Sequence, residues 1–197
     1  MLDEQSQPIK NIAVHAVLER NGMYMPTAVS DDAGQFAIEG LETGAYDVFG
    51  ESDAAGYPNA TISFYSTKEP TRVVLGSDSP AARIVLNLGP RAGVLSGTVI
   101  DKITGKAIVS RHALHFIMKK ASNPEDAILF GGPAKFRWLV PPAVEITLEV
   151  TAGGYKPWFY ADASNPSRPL PLRLESGEHK SLNIELERDA TQSTTEH

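Results

Sequence analysis

The segment that decides the fold is Asp31–Val48, which reads DDAGQFAIEGLETGAYDV. Its two Asp residues and Gly34 are typical of a turn, because Asp side chains hydrogen-bond nearby backbone and glycine accepts positive φ. Phe36 and Ile38 then alternate with small or polar residues, which is the period of two of a half-buried strand. Two further glycines bracket a second tight connection. The segment therefore predicts turn, strand, turn and strand in succession.

The length, charge and composition of the chain exclude several classes of protein. At 197 residues the chain has room for two domains, each of about 100 residues. The net charge of −6 argues against a nucleic-acid partner, which would require clustered Lys and Arg. The absence of cysteine excludes disulfides, thiolate metal sites and a cysteine nucleophile. No apolar run approaches the roughly 20 residues of a membrane helix, and the first residues do not resemble a signal peptide.

Landmark residues recur at a nearly constant distance along the chain, which indicates an internal repeat. A period of about 100 residues is too long for stacked solenoid repeats and predicts tandem domains. We place the first domain at residues 1–88, a second and more divergent domain at 94–188, and a disordered tail at 189–197. The pairs are Asp3 and Asp101, Ile9 and Ile108, Phe36 and Phe136, Tyr57 and Tyr155, Leu75 and Leu174, and Leu88 and Leu186.

Both copies consist of short strand patterns separated by turn residues. In the first copy we predict strands over 12–18, 27–30, 36–38, 45–49, 72–75 and 83–88, with a hairpin at Asn21-Gly22. In the second we predict strands over 94–101, 112–118, 136–138, 144–150 and 181–186, and a looser insertion over 119–129. Since no segment shows a sustained helical period, the sequence predicts an all-β fold of two tandem seven-stranded Greek-key β-sandwich domains.

The motifs resemble those of the carboxypeptidase regulatory-like domain family, relatives of the transthyretin-like and starch-binding-like sandwiches. The second copy lacks the Asp-x-x-Gly turn and the Gly-Leu-x-x-Gly core of this pattern. The resemblance implies an Ig-like, prealbumin-like sandwich without catalytic residues or cofactor, in a bacterial secreted or cell-envelope protein (periplasmic or outer-membrane associated). It also implies a structural or protein-interaction role, with other envelope proteins as partners. The motifs are Pro8-Ile9, Ala13-Val14, Asp31–Phe36, Gly40-Leu41, Gly44–Tyr46 and Gly56-Tyr57 in the first copy, and Gly97–Val99, Gly105–Ile108, Phe136 and Gly154-Tyr155 in the second.

The first copy lacks a segment that the second copy has. Residues 94–100 precede Asp101, whereas only Met1 and Leu2 precede Asp3. About seven residues, the length of one strand, have no counterpart. One interpretation is that the sequence begins late, in which case an export signal could lie upstream. The alternative is an open edge of the first domain that accepts a donated strand.

Two groups of polar residues resemble metal or catalytic sites. His112 and His115 are three residues apart, and on a strand they face opposite sides, so one metal ion could not bind both. His15 has no carboxylate near it in sequence, and no nucleophile motif is present. The carboxylates of Asp31, Asp32, Glu39 and Glu42 suggest calcium, but turn formation explains the Asp pair without metal. We therefore predict no catalytic residue and no metal site.

Aromatic residues of the second copy are the candidates for ligand binding. Tyr155, Trp158, Phe159 and Tyr160 lie within six positions, and alternation places Trp158 and Tyr160 together, opposite Phe159. Aromatic faces stack on sugar rings, so Tyr155, Trp158 and Tyr160 are the predicted ligand-binding residues of an alternative function, carbohydrate binding. The competing interpretation is that these rings fill the core.

Overall fold

A computed structural model describes residues 1–24, 27–66, 69–108, 114–162 and 165–190. Internal contacts divide the chain into two compact units, unit 1 at Met1–Ala92 and unit 2 at Gly93–His197. The described residues form fourteen strands and no α-helix, so the predicted all-β class is confirmed. Accordingly, no helix in this part of the chain is long and apolar enough to span a membrane.

Unit 1 is built on one antiparallel sheet of five strands in the order β2-β1-β4-β5, with β3 also paired to β1. The alternation of β1 buries Val14, Ala16 and Leu18 on one face. The predicted hairpin is confirmed, because Leu18 pairs with Met23 across the turn. The strands are β1 Ala13–Leu18, β2 Met23–Tyr24, β3 Ala28–Val29, β4 Gly44–Glu51 and β5 Thr71–Leu75.

Unit 2 contains a three-stranded sheet, β14-β6-β9, and a four-stranded sheet, β11-β10-β7-β8, with a small β12-β13 ribbon. β6 is the central strand of the first sheet, parallel to β14 and antiparallel to β9. The core lies between the two larger sheets, where Phe116 of β7 contacts Phe136 of β9 with ring centroids 4.7 Å apart. The strands are β6 Gly93–Asp101, β7 His115–Lys120, β8 Asn123–Gly131, β9 Lys135–Val140, β10 Ile146–Thr151, β11 Trp158–Phe159, β12 Ala161–Asp162, β13 Asn165–Pro169 and β14 His179–Leu186.

The structure differs from the sequence-based expectations in two places. The looser insertion predicted over 119–129 is wrong, because residues 123–131 form β8 and pair with β7. In unit 1, the segments predicted as strands at 36–38 and 83–88 join no sheet, and the described residues of this unit form five strands where a seven-stranded domain was predicted. Residues 191–197 of the predicted tail, and His112, lie outside the described residues.

Candidate functional site

Unit 1 contains a surface groove of about 820 Å³. Its walls are the two segments that join no sheet, residues 33–41 and 80–85, and its floor includes Ala16, Val48 and Leu75. Met1 and Leu2 lie at one end. Below we call this feature the unit 1 groove.

The two walls of the unit 1 groove show the alternating burial of β-strands, but they are not hydrogen-bonded into a sheet. Phe36, Ile38 and Ile84 are half-buried and alternate with exposed residues. Within the described chain, residues 36–41 and 80–85 form no backbone–backbone hydrogen bond. Backbone C=O groups along both walls, and the N–H groups of all their residues except Pro80, are therefore available to a strand placed between them.

Unit 2 shows which element lies between the corresponding walls. There β6 separates β9 from β14, and its Ile100 pairs with Glu185 in parallel and bridges to Ala107. In unit 1, Leu2 makes the same two contacts, a parallel bridge to Asn87 and an antiparallel bridge to Pro8. Leu2 is thus the counterpart of Ile100.

The hydrogen bonds extend this correspondence by one residue. In unit 2, the Val99 N–H donates to the Ala134 carbonyl at 2.9 Å, and the Val99 carbonyl accepts from Ile108 at 3.1 Å. In unit 1, the Met1 amino nitrogen donates to the Gly34 carbonyl at 2.6 Å.

The Met1 carbonyl accepts from the Ile9 N–H at 3.2 Å, just as the Val99 carbonyl accepts from Ile108. Met1 therefore takes the position of Val99, and residues 93–98 of β6 have no counterpart in unit 1. The walls 35–40 and 81–85 correspond to the segments 135–140 and 179–183 that pair with β6.

A buried polar cluster closes the end of the central strand in unit 2. Asp101, only 3% exposed, accepts backbone hydrogen bonds from Ile103 and Thr104 on Oδ1 at 2.9 and 2.8 Å. On Oδ2 it accepts from the Tyr155 hydroxyl at 2.9 Å and from Arg188 Nε at 2.7 Å. The Thr104 bond and the Arg188 bond are the main reasons why the pKa of Asp101 lies well below its ordinary value.

A related but less buried group is present in unit 1, formed by Asp3, Tyr57 and Arg91. Asp3 Oδ1 accepts two backbone N–H groups at 2.9 and 2.8 Å, as Asp101 does. Arg91 donates a hydrogen bond to Tyr57, and this bond, together with the charge of Asp3, raises the pKa of the guanidinium. Sequence reasoning paired the Asp and Tyr residues but missed the arginines, because Arg91 and Arg188 are 97 residues apart, outside the 98 to 100 spacing of the other pairs.

The predicted ligand-binding aromatics have separate surroundings. The Tyr155 hydroxyl is bound to Asp101, and its ring lies under Arg188 with 5.9 Å between Cζ and the centroid. Trp158 is half-buried and pairs with buried Val150, so its side chain shares the core face of β10. Tyr160 lies under Lys180 Nζ at 5.6 Å. Carbohydrate binding by these residues stays a prediction.

The residues considered for metal or catalysis have structural partners. His15 Nε2 lies 3.0 Å from Glu51 Oε1. Glu51 belongs to β4, so this carboxylate is far from His15 in sequence and adjacent to it in the structure. Asp31 Oδ1 accepts hydrogen bonds from the backbone of residues 33 and 35, which confirms its turn role. Asp32 pairs with Lys10, and Glu42 pairs with Arg20. Among the described residues, no group of three or more acidic or His side chains is placed to hold a metal ion.

Comparisons with known proteins give weak structural similarities. No family model and no curated protein matches the chain. Solved structures that it resembles include the Bacillus anthracis TIE protein, at 15% identity and a TM-score of 0.37 over 95% of this chain and 32% of that one. The Streptococcal ancillary pilin has the same identity and TM-score over 96% of this chain and 60% of that one. GBS52, the minor pilin in the gram-positive pathogen Streptococcus agalactiae, has 11% identity and a TM-score of 0.31 over 97% and 88%.

The chain spans less than two thirds of the length of the first two of these proteins. A likeness this weak assigns neither a family nor a function to the chain. None of the three descriptions names the carboxypeptidase regulatory-like family, which stays an interpretation of the motifs. Function is therefore inferred from the unit 1 groove itself.

Proposed function

We propose that this chain is a non-catalytic β-sandwich accessory module with a structural or protein-interaction role, and that its unit 1 groove accepts an extended segment in the position that β6 holds in unit 2. The observation that carries the proposal is the match between the groove walls and the two segments that enclose β6 in unit 2. An incoming strand would pair with both walls at once, which supplies main-chain hydrogen bonds on each of its edges.

Two physical terms favour binding of a strand in this groove. The first is pairing of the backbone groups along 36–41 and 80–85, worth about 0.5–1.5 kcal/mol for each hydrogen bond. The second is burial of the half-exposed Phe36, Ile38 and Ile84, at about 25 cal/mol for each Å² of apolar surface covered. Because a folded unit 1 already holds both walls, the ordering cost falls mainly on the incoming segment.

The wider setting that we propose rests on the sequence motifs. We place both units in the carboxypeptidase regulatory-like type, in a secreted or cell-envelope protein with other envelope proteins as partners. The turn glycines of the motif support this, since Gly34, Gly40 and Gly56 have φ of 70°, 74° and 84°. Other residues rarely adopt this conformation, so glycine at these positions sets the backbone path of the turns.

The test uses hydrogen–deuterium exchange on the 197-residue chain with a capped peptide of the sequence Gly-Val-Leu-Ser-Gly-Thr, which is that of residues 93–98. We expect the peptide to slow amide exchange over 36–41 and 80–85 and to leave unit 2 unchanged. The matched control is a groove-blocked chain, in which the same six residues are fused directly before Met1 and fill the groove from within. This chain should be protected without peptide and should bind none.

The proposal fails if the peptide gives no protection of the two walls at saturating concentration while the groove-blocked chain is protected. It also fails if the peptide protects the original and the groove-blocked chains equally, since binding would then lie elsewhere. A peptide with the same six residues in scrambled order controls for non-specific association.

A further inference from the structure

The outer face of the four-stranded sheet of unit 2 carries a row of residues that crosses all four strands. Phe159 of β11 pairs with Glu149 of β10. Glu149 also pairs with Ile117 of β7, which in turn pairs with Leu129 of β8. Because directly paired residues point to the same face of a sheet, these four side chains lie side by side. Below we call this row the unit 2 stripe.

The unit 2 stripe faces away from the core and is open at both ends. Its neighbours along the strands, Phe116 and Leu148, are buried and belong to the inner face. Phe159 is 39% exposed and Leu129 is 60% exposed. Three strand spacings separate these two residues, so the stripe is about 14 Å long. It is therefore a surface band with an apolar side chain at each end.

Polar residues flank the unit 2 stripe on both sides. Thr151 and His115 form the paired row on one side, and Thr147 and Lys119 form the paired row on the other. Residues two positions apart on a strand are separated by about 7 Å, so both rows are within reach of a ligand lying on the stripe. The band is thus one side chain wide and has hydrogen-bonding groups along each edge.

The corresponding row of unit 1 is covered. Phe49 precedes Glu149 by the same 100 residues that separate Phe36 from Phe136, and it pairs with His15 across β4 and β1. Phe49 is only 5% exposed and stacks on the His15 ring, with the centroids 5.2 Å apart. The outer face at this row is thus part of the packed interior in unit 1, whereas unit 2 presents it at the surface.

We propose that the unit 2 stripe binds an extended, neutral glycan, a ribbon-like chain of β-linked hexoses. Rings of such a chain have apolar C–H faces and hydroxyl groups along their edges. The apolar faces would stack on Phe159 and pack on Leu129, and the hydroxyls would reach the two polar rows. The opposite charges of Glu149 and Lys119 balance, which favours a neutral chain over a charged one.

The dimensions of the unit 2 stripe favour a glycan over a protein partner. A stable protein interface covers about 800 Å² on each partner, with an apolar core many side chains across. The stripe is about 14 Å by 7 Å, which is on the order of 100 Å². A single chain of sugar rings matches a narrow apolar band with polar edges, whereas a folded protein surface would extend well beyond it.

This site differs from the one that the sequence predicts for carbohydrate. Trp158 pairs with Val150, which is buried, so its ring is on the core side of β11. Phe159 is on the opposite side and is the aromatic residue of this strand that a ligand on the outer face would contact. The inference concerns unit 2 alone and does not rest on the unit 1 groove, so either proposal can fail without the other.

The test is a nuclear magnetic resonance titration of the 197-residue chain with cellohexaose and chitohexaose, two β-linked ribbon-like chains. Maltohexaose, an α-linked chain that coils, is the matched control. We expect the β-linked chains to shift the amide signals of the unit 2 stripe and its polar rows, and to leave those of unit 1 unchanged. Maltohexaose should give little or no shift.

Variants assign the binding to the stripe. Phe159→Ala should weaken binding about tenfold or more, and Phe159→Tyr should retain it, because the ring and not its substituent makes the contact. Leu129→Asn, at the other end of the stripe and on a different strand, should weaken binding less. Ile103→Ala changes an exposed apolar residue of unit 2 outside the sheet and should have no effect. Unchanged urea midpoints show that the variants are folded.

Three results would overturn the inference. The first is the absence of any shift with both β-linked chains at millimolar concentration. The second is binding that Trp158→Ala abolishes in a folded chain and Phe159→Ala does not, since the predicted aromatic residues would then form the site. The third is self-association of the chain that Phe159→Ala and Leu129→Asn both remove, which would make the stripe a contact between copies.

Discussion

The Gly97→Ala substitution tests whether the central strand of this fold needs glycine where it passes its parallel neighbour. The added Cβ would lie 1.8 Å from the Leu182 carbonyl oxygen, whereas ordinary contact begins at 3.4 Å. The obstacle is backbone of β14, which cannot rotate away as the tip of a flexible side chain can. β6 and β14 must therefore move apart by roughly the difference between the two distances, about 1.6 Å.

A displacement of this size is large compared with the spacing of paired strands, about 4.8 Å. It stretches the hydrogen bonds on either side of Gly97 beyond the range in which N–H and C=O groups attract strongly. We assign about 1 kcal/mol to each of two lost bonds and about 1–3 kcal/mol to the overpacked site. The free energy of unfolding of unit 2 should fall by about 3–5 kcal/mol.

Tryptophan fluorescence measures this loss for unit 2 alone. Both tryptophans of the chain, Trp138 and Trp158, belong to that unit. Urea unfolding followed by their emission should show a large decrease in midpoint for Gly97→Ala. The control Ser96→Ala, on the same strand, should change the free energy by about 0.5 kcal/mol or less. A loss below about 1 kcal/mol for Gly97→Ala would refute the close-approach argument.

Three further predictions concern unit 2. Tyr155→Phe removes the hydroxyl that donates to Asp101, and we expect a loss of about 1 kcal/mol in the same urea assay; an unchanged midpoint would contradict it. Because the folded-state pKa of Asp101 is lowered, its stabilising effect is present above the ordinary carboxyl pKa and is lost as pH falls towards the folded value. Asp101→Asn should therefore be less stable than the original chain at neutral pH and lose less stability on acidification, and equal pH profiles would contradict this. Trp158→Ala should lower stability by about 2 kcal/mol, because its ring shares the core face with Val150; an unchanged midpoint with loss of binding on a glycan array would instead support the carbohydrate alternative.

The strands that the sequence predicts well are those whose alternation has one buried face and a partner nearby. Residues 12–18 and 45–49 were predicted as strands, and β1 and β4 pair with each other over Ala13–Leu18. β8 was missed because it opens with the turn-like residues Asn123 and Pro124 and buries little. Its alternation is confined to its second half, where Ile128 and Phe130 are half-buried between exposed neighbours. An edge strand of this kind is stabilised by its pairing with β7, and the local sequence does not indicate that pairing.

The segments 36–38 and 83–88 show a different limit of sequence reasoning. Their periodicity is correct, since Phe36 and Ile38 are half-buried and Leu86 is buried. A strand also requires a neighbouring strand with which to pair, and the alternation of apolar residues does not indicate whether that neighbour is present. Comparison of the two copies indicated only that residues 94–100 have no counterpart ahead of Asp3. It did not predict a groove, whose shape and apolar floor required the structure.

In unit 1 the group formed by Asp3, Tyr57 and Arg91 lies at the Met1 end of the groove, where turns position the two walls. Asp3, at the counterpart of Asp101, fixes the turn that follows Leu2 and lies near Tyr57 and Arg91. Leu2 then joins the 80–88 segment through the Leu86 carbonyl, at 2.9 Å. The opposite wall is fixed by the Asp31 turn and by the bond from Met1 to Gly34.

Each wall is therefore attached to the sheet side of unit 1 at the Met1 end of the groove, and its apolar residues pack on the core. We therefore expect unit 1 to keep its fold whether or not the groove is filled. A segment that pairs with walls already in place costs mainly its own ordering entropy. A groove-blocked chain that is only modestly more stable than the original, yet fully protected along both walls, would be the result that this argument expects.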